Sequence, residues 1–95
     1  MRPLEGLAAA RAEASGWLLA IAVDHGSDSP LHLQASRHWA RTEAEVLASL
    51  EHGDVANART IVDHALHLLS RAVEILRRDE LSADDLIRLM GGAAD

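Results

Sequence analysis

The 95-residue sequence has no cysteine, no phenylalanine and no tyrosine. The first absence excludes disulfides and thiolate metal sites. The other two leave Trp17 and Trp39 as the only aromatic residues. A core must therefore be built from Leu, Ala, Val and Ile. In so short a chain that core is shallow and its stability thin. Self-association would enlarge it, and a homodimer is the expectation. Basic residues are also scarce, nine against fifteen acidic ones, for a net charge of −6. Phosphate backbones are bound mainly through Lys and Arg, so direct nucleic-acid binding is not expected. The basic residues are scattered, with only Arg77 and Arg78 adjacent, which leaves no polybasic run for an anionic membrane.

Long apolar runs are missing too. The longest, Trp17 to Val23, is seven residues, far short of the ~20 that a membrane span needs. It is also a poor signal peptide, because Glu5, Arg11 and Glu13 precede it and Asp24 closes it. The expectation is a cytoplasmic protein with no membrane partner.

What is present is apolar residues at helical spacing. They make up 48% of the chain, too many for a disordered tail. Leu4, Leu7, Ala10, Ala14, Leu18 and Ile21 predict a first helix over 4–23. Gly16 inside it marks a kink or a close helix contact. Gly26 to Pro30 reads as a loop. A second helix is expected over 31–52, with Leu33, Ala40, Leu47 and Leu50 toward the core and Trp39 and Val46 beside them. Gly53 and Asp54 then supply a helix stop and an N-cap. The third helix, about 55–78, carries Ala58, Ile61, Val62, Ala65, Leu69, Ala72, Val73 and Leu76 on one face. Its arc is wide enough to want neighbours on more than one side. Ser82 with Asp85 resembles a capping box before a short helix over 83–90. The fold class is all-α, a small bundle of three long helices plus a short C-terminal one, in a single domain over 1–95. Leu69 and Leu76, with the stripe Leu86, Ile87 and Met90, are the expected interface residues for a partner chain.

Chemistry rests on six histidines: His25, His32, His38, His52, His64 and His67. His64 and His67, at i, i+3, can converge. His38 faces His64 if helices two and three form an antiparallel hairpin about Gly53. These three are the candidate ligands of a divalent metal. Trp39 is either a ligand-pocket wall or, more simply, the large piece of a small-residue core. Phosphate-cradling loops, nucleophile elbows and zincin motifs are absent. Arg59 and His64 have the Arg-x4-His spacing of the HEPN all-α ribonucleases, a frequent chance spacing that an acidic chain disfavours.

Glu43-Ala-Glu-Val-Leu-Ala-Ser-Leu-Glu-His-Gly-Asp54, followed by Ala58 and Asp63-His64-Ala65-Leu66, resembles the last helix pair of the FCD effector-binding domain of GntR-type bacterial regulators. Ala12-Glu-Ala-Ser-Gly16 also resembles a segment of that fold. The resemblance implies a non-enzymatic, dimerising regulatory domain that binds a small carboxylate or a metal between helices. In that family a histidine stands at each end of the pair. Here the first position falls at about Glu43 and the second at His64, so Glu43, His64 and Trp39 are the expected ligand-binding residues. Two other readings follow from the same residues: a stand-alone protein-binding adaptor and a HEPN-like ribonuclease.

Overall fold

The computed structural model describes residues 3–91, which form four helices and no strand. These are α1 (Pro3–His25), α2 (Pro30–Glu51), α3 (Val55–Arg77) and α4 (Ala83–Gly91). The all-α bundle of three long helices and a short one is thus the observed architecture.

Local chemistry sets the boundaries. Gly26 takes φ 100°, a conformation that costs glycine least, and releases the chain from α1. Ser29 then caps α2, its Oγ accepting from the His32 N–H at 3.2 Å, with Pro30 in the first turn where a missing N–H costs nothing. The end of α2 is a left-handed stop. Gly53 has φ 73°, the Gly53 N–H donates to the Leu50 carbonyl, and the Asp54 N–H to that of Ser49. Asp54 caps α3 by accepting from the Asn57 N–H at 3.0 Å, and the Asn57 amide donates to Ser49 Oγ at 2.7 Å. That side-chain bond fastens the hairpin corner. The end of α3 repeats the stop with a different residue: Asp79 takes φ 56° while the Glu80 N–H donates to the Ile75 carbonyl. Ser82 caps α4 through the Asp85 N–H.

The connections are short, so α1 and α2 are antiparallel, as are α2 and α3. Ion pairs fix the register. Arg11 of α1 pairs with Glu43 of α2, and Arg77 at the end of α3 meets Asp24 at the end of α1 at 2.9 Å. α3 packs chiefly on α1 and next on α2, while α4 lies against α2. The core gathers Leu7, Ala10, Ala14 and Ile21 with Ala58, Val62, Ala65, Leu69, Ala72 and Val73 across the α1–α3 seam. Leu31, Ala35, Trp39 and Val46 close it from α2, and Leu86 from α4.

Two sequence expectations need correction. The core face of α2 is not Leu33, Ala40 and Leu47, which are exposed. It is Leu31, Ala35, Trp39, Thr42, Val46 and Ser49. Apolar residues recur every seven positions on both sides of this helix, and the buried side includes polar Gln34, Thr42 and Ser49. Gly16 marks no close contact either, since a Cβ there would meet nothing within 4 Å. On α1, Leu4 is also exposed.

α1 differs from the other long helices in having a mostly apolar back, interrupted by the exposed Glu5 and Ser15. Its buried side is Leu7, Ala10, Ala14 and Ile21; its open side carries Leu4, Ala8, Ala12, Leu19 and Val23. By length and composition, Leu4–His25 is apolar enough to cross a membrane, although the seven-residue run at its centre alone is not.

Candidate ligand cleft between α2 and α3

His38, Arg41 and Glu45 lie at i, i+3 and i+7 on α2, which places them on one helical side. The antiparallel hairpin sets that side against Thr60, Ile61 and His64 of α3. Together with Thr42 and Ala65 they line a cleft of about 400 Å³. The expected juxtaposition of His38 and His64 about the Gly53 turn is therefore present.

His38 is the most constrained group in the cleft. Its Nε2 is buried without a hydrogen-bond partner. Burial pushes the imidazole below its ordinary value, the charges of Arg41 and His64 add to this, and Glu45 opposes it. A neutral imidazole offers one donor and one acceptor. Below it, Thr42 spends its hydroxyl on the His38 carbonyl at 3.0 Å, a bond to the preceding turn that suits a threonine inside a helix.

The other expected site residues are dispersed. Glu43 points away from the cleft and pairs with Arg11 of α1. It sits nearly half a turn from Glu45, because each residue advances about 100° around a helix. Glu45 is the carboxylate that shares the cleft with His64. Trp39 is 7% exposed, belongs to the core and does not line this cleft. His67 faces a second groove of about 250 Å³ between α3 and α4, with Leu68, Arg71, Ile75, Leu86 and Leu89. His64 borders both hollows. The trio His38, His64 and His67 is thus split, and among the described residues no three His, Asp or Glu side chains are grouped to hold a metal ion. Arg59 donates to Asp63 at 2.8 Å and does not line the cleft, so it is not paired with His64 as the ribonuclease spacing required.

The expected interface is also redrawn. Leu69 is 0% exposed and Leu86 is buried, so both are spent inside the chain. Leu76 and Ile87 pack partly buried against the core, and the Met90 side chain lies outside the described residues. The wide arc of α3 packs on α1 and α2, and its Leu68 and Ile75 edge opens onto the groove beside α4.

Sequence reasoning missed Arg41 and Glu45 as cleft residues. Their i, i+3, i+7 spacing from His38 was the available signal. No protein-family model matches the chain, and no curated protein or solved structure is similar to it.

Proposed function

We propose that this chain is a non-enzymatic helical regulatory module that dimerises through the outer face of α1. The observation that carries the reading is a helix apolar on both sides with only one side covered. Leu19 is 64% and Val23 76% exposed, on the same open side as Leu4, Ala8 and Ala12. A helix apolar all round is ordinarily buried all round. The Arg11–Glu43 pair marks where α1 abuts α2, and on a helical wheel the exposed Leu33, Ala40 and Leu47 of α2 lie beyond that seam. Five of the seven exposed large aliphatic residues among those described thus belong to α1 and α2. A standard interface buries about 800 Å² per partner, a modest part of the 5977 Å² accessible surface.

A second copy is the occupant that completes a shallow Leu/Ala core. The likeness of 43–66 to an effector domain adds the regulatory reading, in which a ligand in the His38–His64 cleft shifts α2 against α3 and so the dimer. The adaptor reading is favoured by the apolar α3–α4 groove, which has the form of a seat for another chain's helix.

Light scattering over a wide micromolar range tests the dimer. The expected mass is twice that of the chain, falling to one chain for Leu19→Glu with Val23→Glu while the helical spectrum is kept. A folded monomer throughout would overturn the reading. Co-sedimentation with lipid vesicles in place of dimerisation would assign the face to a membrane instead.

A further inference from the structure

The first half of α2 collects hydrogen-bond donors that have no acceptor. Gln34 is 8% exposed, and its Nε2 is buried without a partner. One turn on, His38 Nε2 is in the same condition. Above them Arg37 and Arg41 lie one turn apart on the exposed side. Neither has an acidic partner among the described residues, a condition shared there only with Arg78, whereas Arg11, Arg59, Arg71, Arg77 and Arg88 each have one. Arg41 does not pair even with Glu45, its neighbour at i+4. In a chain with fifteen acidic residues, two adjacent unpaired arginines repel each other with no compensation. Gln34, Arg37, Ala40 and Arg41 surround a hollow of about 500 Å³.

A single missing acceptor in this hollow accounts for Gln34, Arg37 and Arg41, while His38 lines the neighbouring cleft. Guanidinium forks match oxyanions with two hydrogen bonds each, and a buried amide N–H is costly until it finds an acceptor. Two guanidinium charges are balanced by a dianion, which a phosphomonoester approaches at neutral pH because its second pKa is about 6. A monocarboxylate would balance only one. Arg41 lines both this hollow and the His38–His64 cleft, so a ligand anchored here can extend over Arg41 into that cleft. We propose that Arg37 and Arg41, with the Gln34 amide beneath them, bind the phosphoryl group of a small phosphomonoester whose body reaches over Arg41 toward His38 and His64. This site is independent of self-association and goes beyond it.

The test is a titration of ¹⁵N-labelled protein with inorganic phosphate, at a pH above the second pKa of inorganic phosphate so that the dianion predominates, and at a constant ionic strength of about 0.15 M. The expected result is a saturable shift of the Gln34 side-chain amide. Binding should weaken about tenfold or more in Arg37→Gln and in Arg41→Gln, as loss of a charge-assisted fork implies. It should be unchanged in Arg78→Gln, an arginine outside the hollow. A non-saturating drift, or equal affinity in all three variants, would overturn the site. Succinate binding as well as phosphate would overturn the assignment to a phosphoryl group. Glycerol 3-phosphate should bind more tightly than phosphate and shift His64 as well, and failure to do either would overturn the extension into the cleft. Repeating the titration on the Leu19→Glu, Val23→Glu chain separates this outcome from that of the dimer.

Discussion

α1 and α3 have the same length, 23 residues, and meet along the main seam of the core, yet they are opposites on their far sides. The back of α3 carries Arg59, Asp63, Arg71 and Glu74, paired along the helix. The back of α1 carries Ala8, Ala12, Leu19 and Val23, with Glu5 and Ser15 as its polar members. Both backs are open in the single chain, so burial within the bundle does not explain the difference. The back of α3 has the composition of a solvated helix face, and that of α1 has the composition on which the proposed dimer rests.

The largest expected effects come from the sides the two helices share. Leu69→Ala on α3 and Ile21→Ala on α1 remove side chains from opposite walls of one core and should each cost about 2–5 kcal/mol. Urea unfolding of the two variants checks this. A much smaller cost for Ile21→Ala would mean that α1 is not held as firmly as α3, and the comparison would fail.

The ends of the helices come next. Asp54→Ala removes the cap of α3 and should cost about 1 kcal/mol. Asp79 holds at the end of α3 the left-handed conformation that Gly53 holds at the end of α2. Asp79→Gly should therefore raise stability by about 0.5–1 kcal/mol, and Gly53→Ala should lower it. Thermal midpoints of the variants, measured at one protein concentration, read both.

This pattern also separates what was legible in the sequence from what was not. The face of α3 was readable because its far side is polar, so one stripe stands out. The caps of α3 and α4 were readable because Asp54 and Ser82 act locally. The face of α2 was not, because Leu33, Ala40 and Leu47 imitate a core stripe while Gln34, Thr42 and Ser49 are buried in its place. The site shared that fate. His38 and His64 were brought together by hairpin geometry alone, but Glu43 required the correct rotation of α2, which gives Glu45 to the cleft and Glu43 to Arg11. The donors at Gln34, Arg37 and Arg41 carry no motif, and only the absence of their partners distinguishes them.

Smaller effects sharpen the comparison further. The Arg77–Asp24 pair ties the last turn of α3 to that of α1, but both side chains are partly exposed. A double-mutant cycle with Arg77→Gln and Asp24→Asn should give a coupling below about 1 kcal/mol, and less at high salt. His38 provides a pH-dependent effect. Its folded value lies below the ordinary 6.5, so the unfolded chain takes up the proton first as the pH falls. Stability should drop as the pH falls from 6.5 through the lowered folded value, and above 6.5 the neutral imidazole adds no pH dependence. Urea midpoints across that window should fall less in His38→Gln than in the wild-type chain. An equal fall would assign the effect to other groups.

With tyrosine and phenylalanine absent, all near-ultraviolet fluorescence and dichroism come from two indoles on two different helices. Trp39 is sealed in the core and Trp17 is half-buried against it. Replacing either with Leu leaves a single-emitter protein that watches one helix alone. The Trp17 emitter would follow α1, and the Trp39 emitter α2, which carries Arg37, Arg41 and His38. The scarcity that makes the core shallow thus gives the molecule two optical channels, one on each helix, with no label attached, through which the proposed dimer and the proposed ligand site can be followed separately.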